Sequence, residues 1–179
     1  MLEPLLSLLS ARLASTGREG GDPPRCGNRF PTVAPRNAYP TRDGRWVALT
    51  AGTDELARRT FEVVGLPGLA DDPRFADNAS RVRHVDELDA IVGAWIAARS
   101  CDEVVEAFSR ARVSLAAIDP PSALPANPQV VARGSLVEVD DPEIGRVRVA
   151  APPCGGTIRW LGRARGADDA ALRAWLGSG

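Results

Sequence analysis

Lysine is absent from this 179-residue chain, so all 22 of its basic side chains are arginine. A guanidinium fork suits phosphate and carboxylate partners. The arginines are scattered along the whole chain, however, which is the pattern of biased codon use rather than of one binding site. Histidine occurs once, at His84, beside Arg83 and just ahead of a helix start. It reads as a surface or capping residue. Without a second base near a Ser or Cys, acyl-enzyme chemistry of the Ser–His kind has no activating group. The three cysteines, Cys26, Cys101 and Cys154, are far apart and form no CxxC pair. That spacing argues against a metal site and against a disulfide framework, and fits a reducing cytoplasm. Net charge is −1, so no global field draws the chain to nucleic acid or to an anionic membrane. No GxxxxGK[ST] loop or strand-linked GxGxxG is present, so no independent nucleotide-phosphate cradle is expected. The Leu-rich run from Leu2 to Leu13 is broken by Glu3, Pro4 and Arg12. It lacks a basic leader and is too short to span a bilayer.

What is present is a soluble-protein composition, 44% apolar and 25% charged, organised by turns and caps. Residues 2–14 read as a helix with Leu2, Leu5, Leu6, Leu9 and Leu13 on overlapping faces. Apolar residues cover much of its circumference, so it wants a partner surface that a small domain rarely supplies. Residues 15–37 are rich in Gly and Pro and read as a long connector rather than a core element. Ala38–Thr41 and Arg45–Thr50 then flank Arg42-Asp43-Gly44, in which Asp-Gly is a hairpin signal because both positions tolerate positive φ. Thr53 caps a helix with Asp54 and Glu55 in its first turn, and Gly65 ends it. Asp72-Pro73-Arg74-Phe75 is a turn. Asp86 is expected to cap a helix whose stripe is Leu88, Ile91, Val92, Trp95 and Ile96. Ser100 and Glu103 make a capping box for a further helix carrying Val104, Val105 and Phe108. Val113–Ile118 reads as a buried strand. Asn127 caps a short helix with Pro128 at its first position. Leu136–Val139 and Arg146–Val149 predict a second hairpin, and a last helix holds Leu172, Trp175 and Leu176. The mixture of helices with hairpin-linked, antiparallel strands is α+β.

The carboxylates are accounted for by turns and helix starts, and no pair stands out as an acid/base couple. The chemistry-bearing content is therefore in the order of the punctuated segments. That order is Gly27-Asn28, Ala34-Pro35, the hairpin with Tyr39, Thr41 and Asp43-Gly44, Asp72-Pro73-Arg74-Phe75 followed by Arg81 and Leu88, Asn127-Pro128-Gln129 before Ala132-Arg133-Gly134, and Gly145-Arg146-Val147 leading to Pro152-Pro153. In this series, from about Leu2 to Leu176, the chain resembles the C-terminal portion of the class III CoA-transferases. That CaiB/BaiF family includes formyl-CoA and carnitine CoA-transferases and α-methylacyl-CoA racemase.

The resemblance implies a division into three parts. Residues 1–37 would form a helical arm and connector, 38–150 an α+β small domain, and 151–179 a C-terminal return segment and helix. It also implies acyl-CoA and a carboxylic acid as substrates, with coenzyme A as substrate rather than a permanently bound cofactor, and no metal. Family members carry the catalytic Asp upstream of the helix that here begins at Leu2, and their protomers interlock as dimers. No residue of this chain matches that Asp, so no catalytic residue is carried over. A catalytic N-terminal half, or a homodimer, is the expected partner, in the cytoplasm, with neither nucleic acid nor membrane involved. Racemases use a Glu near the position of Thr53, and a threonine cannot serve as a carboxylate base. A transferase part is therefore favoured over a racemase-like fragment, with a non-catalytic remnant or interaction subunit as the other alternative. The segments bordering the acyl pocket in the family correspond here to Tyr39 and to Thr50-Ala51-Gly52-Thr53, the expected substrate-binding residues.

Overall fold

The computed structural model describes residues 2–10, 13–14, 16, 20–21, 25–158, 161–162 and 164–177. The chain separates into two compact units, Met1–Ile118 and Asp119–Gly179. Among the described residues no helix is long and apolar enough to cross a membrane.

The first unit begins with helix α1 (Leu2–Leu8). Backbone hydrogen bonds run on from Leu9 to Leu6 and from Leu13 to Leu9, and residues 11, 12 and 15 lie outside the described set. The described leucine side chains here are exposed: Leu8 is 81% exposed, and Leu5, Leu6, Leu9 and Leu13 are exposed as well.

Strands β1 (Arg36–Pro40), β2 (Trp46–Thr50) and β3 (Ser114–Ile118) form one antiparallel sheet with β2 in the centre. In β2, Val47 and Leu49 are buried while Trp46, Ala48 and Thr50 are exposed. This period-2 alternation gives the sheet one apolar face. The register sets Tyr39 opposite Val47, which in turn faces Ala117, and Asn37 opposite Leu49, which faces Leu115. β3 is an edge strand, alternating exposed and half-buried positions instead of the expected burial throughout. Only Val113, just ahead of it, is buried.

The β1–β2 connection is also longer than the three residues, 42–44, expected between the strands. Five residues, 41–45, separate the last strand pair, Pro40 and Trp46. Only Gly44 uses positive φ, at +77°. Asp43 instead turns its carboxylate inward to accept from the Thr41 hydroxyl at 2.5 Å and from the Cys101 amide at 3.2 Å. Those bonds, the Thr41 hydroxyl's first, hold its pKa below the ordinary value. An Asp-Gly pair thus closes the hairpin by docking onto a helix start.

Helix α2 (Asp54–Val63) is capped by Thr53, whose hydroxyl accepts from the Leu56 amide. Next comes the short α3 (Asn78–Arg83), capped by Asp77, which accepts from the Ser80 amide at 2.7 Å. Then come α4 (Val85–Ala97) and α5 (Cys101–Arg110). Asp86 is therefore not the cap it was expected to be. The N-cap position of α4 belongs to His84, which makes no side-chain cap hydrogen bond, and Asp86 lies in the first turn of α4 instead. The Ser100–Glu103 capping box of α5 is present in full. The core joins the inner sheet face to Leu88, Val92 and Ile96 of α4, Val104 and Phe108 of α5, and Phe61 of α2. Gly93 is where α4 meets the sheet. A Cβ there would stand 3.4 Å from the Tyr39 ring.

The second half of the connector belongs to this core. Ala34 and Pro35 are buried, joined by a cis peptide bond. Asn78 clamps the segment by donating to the Thr32 carbonyl and accepting from the Ala34 amide. The Arg36 guanidinium lies 4.5 Å over the Phe30 ring. Composition made 15–37 read as a connector outside the core, whereas side chains from α3 and α4 fasten it to the core from Arg29 onward.

In the second unit, Asn127 caps α6 (Pro128–Ala132), accepting from the Gln129 and Val130 amides. The hairpin of β4 (Leu136–Asp141) and β5 (Gly145–Ala150) follows, and then α7 (Asp169–Leu176). All three elements fall where the sequence predicted them.

Candidate functional site

The expected substrate-binding residues fall in two places. Thr50, Ala51, Gly52 and Thr53 form one continuous segment from the end of β2 to the cap of α2. Tyr39 stands elsewhere. Arg36 pairs with Thr50 and Tyr39 with Val47, so Tyr39 lies three residues along the strand, about 10 Å away.

Tyr39 points into the core, where its hydroxyl donates to Asp89 Oδ1 at 2.6 Å. Burial, and then this bond to a carboxylate, push the phenol well above its ordinary pKa. Asp89 collects two further donors on Oδ2, Asn37 Nδ2 at 2.8 Å and Arg29 Nε at 2.6 Å. Arg29 also reaches Asp86 at 2.6 Å. A carboxylate buried on a helix face is tolerated only when its oxygens are satisfied, and here a strand, the connector and α4 each contribute to it. Sequence reading missed Asp89. Its signal was available, since Asp89 falls at helical spacing with Val85, Val92 and Ile96 and so lies on the buried face.

A second buried ionic centre supports the 50–53 segment directly. The Arg81 side chain is fully buried in α3, and each of its three nitrogens finds an acceptor. Nε donates to the Ala34 carbonyl at 2.9 Å, and Nη1 to the Phe75 carbonyl at 3.1 Å. Nη2 donates to the Gly52 carbonyl at 3.3 Å and to Asp54 Oδ1 at 2.8 Å. One side chain thereby ties together Ala34-Pro35, the Asp72–Phe75 turn and the end of the β1–β2 hairpin. Three motifs separate in sequence share one set of hydrogen bonds. Arg81 stood out in the sequence only as a residue after the Asp-Pro-Arg-Phe turn.

The segment itself is held from both sides. The Ala51 amide donates to the Pro35 carbonyl at 2.9 Å, and Ala51 is fully buried. Thr50 and Thr53 are exposed and Gly52 is half-buried. Beside the segment opens a cleft of about 310 Å³, lined by Asp54, Arg58, Phe61, Asp71, Phe75 and Arg81 among others. The Asp72–Phe75 turn that walls it is stiffened by Arg74, which donates to Asp72 at 2.6 Å and also pairs with Glu87. The Arg74 bonds pull the Asp72 carboxyl down to about 2. Among the described residues no group of His, Cys, Asp and Glu has the arrangement of a metal site. His84 Nδ1 lies 2.9 Å from the Ser80 carbonyl and its ring packs edge-on to Phe75, so it serves the α3–α4 junction.

This arrangement of a three-stranded antiparallel sheet backed by helices has close counterparts of known structure. A CAIB/BAIF family protein from Brucella suis superposes with a TM-score of 0.67, over 95% of this chain and 45% of its own, at 24% identity. Two curated relatives agree. A succinyl-CoA–D-citramalate CoA-transferase of Chloroflexus aurantiacus is 33% identical over 171 residues, 92% of this chain and 42% of the relative. A succinate–glutarate CoA-transferase of Agrobacterium fabrum is 33% identical over 140 residues, 76% of this chain and 35% of the relative. The family model described as CoA-transferase family III matches residues 1–158, and the chain belongs to that family. It spans less than half the length of the relatives it matches.

Proposed function

We propose that this chain is the C-terminal part of a class III acyl-CoA:carboxylate CoA-transferase, active together with a catalytic half that lies outside residues 1–179. The observation that carries this reading is the alignment of nearly the whole chain with 42% of a CoA-transferase's length. The open leucine face of α1 supports it. Exposed apolar patches of this kind mark surfaces that another element covers.

In this reading the 1–37 arm, the 38–150 small domain and the 151–179 return segment serve a cytoplasmic, interlocked dimer. Acyl-CoA and a carboxylic acid are its substrates, and no cofactor is permanently bound. The segment Thr50-Ala51-Gly52-Thr53 borders the acyl group, with Thr50, Gly52 and Thr53 toward it and the buried Ala51 backing them. Tyr39 supports them from the buried side. Thr53 offers a hydroxyl and a helix cap but no carboxylate, which favours transfer over racemisation.

CoA exchange between succinyl-CoA and free dicarboxylic acids tests the proposal, with the purified chain alone and after co-expression with the segment encoded immediately upstream. Exchange only in the combined sample is the expected result. A combined sample that assembles without exchanging CoA would make this chain a non-catalytic interaction subunit.

A further inference from the structure

Gly52 is the one glycine in the 50–53 segment, and its backbone does not take the left-handed conformation that makes glycine necessary in a turn. Its reason is close approach. A Cβ built at Gly52 would stand 2.3 Å from Cγ1 of Val33, 3.5 Å from its Cβ and 3.7 Å from Cγ2. The side chain that position 52 lacks is thus replaced, in nearly the same space, by a methyl from a residue nineteen positions earlier. Val33 is not free to move aside. Its amide donates to the Phe30 carbonyl at 3.2 Å. Ala34, the next residue, is fixed between Asn78 and Arg81. Val33 is half-buried and its side chain stands against Gly52, so it borders the segment.

We propose that Val33 is a specificity-determining residue, its methyls setting how large a carbon skeleton the 50–53 segment admits. This rests on the reading that Thr50–Thr53 faces the substrate. A branched, rigid aliphatic group held by the backbone makes a fixed wall, and one methyl added to or taken from such a wall changes discrimination by about tenfold or more. Removing a methyl should enlarge the space beside Gly52, and adding one should reduce it.

The test is the CoA exchange assay on the combined enzyme, with succinyl-CoA as donor and straight-chain dicarboxylic acids of two to six carbons as acceptors. Val33→Ala is expected to move the ratio of kcat/KM values toward the longer acids by about tenfold, and Val33→Ile toward the shorter ones. Opposite shifts separate a wall from general loosening, which would lower all acceptors together. Ratios unchanged in both variants, or moved in the same direction, overturn the inference while leaving the transferase reading intact. A wild-type enzyme that assembles but exchanges nothing overturns both.

A second measurement, independent of activity, checks the contact. Gly52→Ala should lower Tm by at least about 4 °C. The loss should be less than half as large in the Val33→Ala background, where the nearest remaining atom would be at 3.5 Å. Equal losses in both backgrounds would remove Val33 from its place.

Discussion

The two units of this chain hold themselves together in different ways. In Met1–Ile118, three helices close over one face of a sheet, and the buried residues form one continuous cluster with Arg81 and Asp89 set into it as satisfied ionic centres. In Asp119–Gly179, Val139 is the one buried residue among those described. There the β4–β5 hairpin is held by its backbone ladder and by exposed pairs, Arg146 with Asp140 and Arg148 with Glu138. Surface pairs of that kind contribute about 0–1 kcal/mol each, and a two-stranded hairpin alone is marginal in water. The contrast teaches that only the first unit carries its own reasons for a fixed shape. The 50–53 segment lies in that unit.

The largest expected effect comes from removing a buried ionic centre. Arg81→Met leaves the Ala34, Phe75 and Gly52 carbonyls without their donor and should cost about 3–5 kcal/mol by denaturant unfolding. The matching change in the second unit, Arg148→Met, should cost less than about 1 kcal/mol. Similar losses at both sites would erase the distinction. In the apolar core, Leu88→Ala should cost about 2–5 kcal/mol. Leu172→Ala, on the exposed α7, should stay within about 0.5 kcal/mol.

Tyr39→Phe should cost about 1–2 kcal/mol by leaving Asp89 short of one donor. It should also change the alkaline limb of stability. The folded-state pKa of Tyr39 is raised above the ordinary value of 10.0, so its contribution is complete below pH 10 and declines as pH rises above it. The phenylalanine variant should lack that decline. Asp72 works at the acid end with the opposite sign. Its folded pKa of about 2 is below the ordinary 3.8, so its contribution is present above about pH 4 and lost as pH falls toward 2. Asp72→Asn should flatten that window slightly, because the pair with Arg74 is partly exposed. A steeper acid limb in the variant would reverse the assignment.

The smallest effect should be a gain. Arg112 takes φ +55° just beyond α5, where the Val113 amide returns to the Phe108 carbonyl. Glycine suits that position, and Arg112→Gly should add up to about 1 kcal/mol.

Much of the chain's secondary structure was legible because it is local. Thr53, the Ser100–Glu103 box and Asn127-Pro128 act within four residues of themselves, and all three cap as the sequence indicated. Asp86 misled because it precedes an apolar stripe, whereas α4 already starts at Val85 behind His84, which makes no side-chain cap bond to mark the boundary. Non-local relations left little trace. The pairing of β2 with β3 spans more than sixty residues and has no turn to announce it. Polar side chains such as Arg81 and Asp89 read as surface until their distant partners are in place. The crowding of Gly52 by Val33 depends on two segments meeting, so the glycine was visible and its cause was not.

Hydrogen exchange across the whole chain, alone and bound to the segment encoded upstream, tests most directly that this is one part of a larger enzyme. In the isolated chain, amides of α4 and α5 should exchange slowly, and those of α1 and the β4–β5 hairpin quickly. On binding, α1 and the hairpin should gain protection, with the interior of Met1–Ile118 unchanged. A chain whose α1 and hairpin are already protected alone, or gain nothing from the upstream segment, would contradict it.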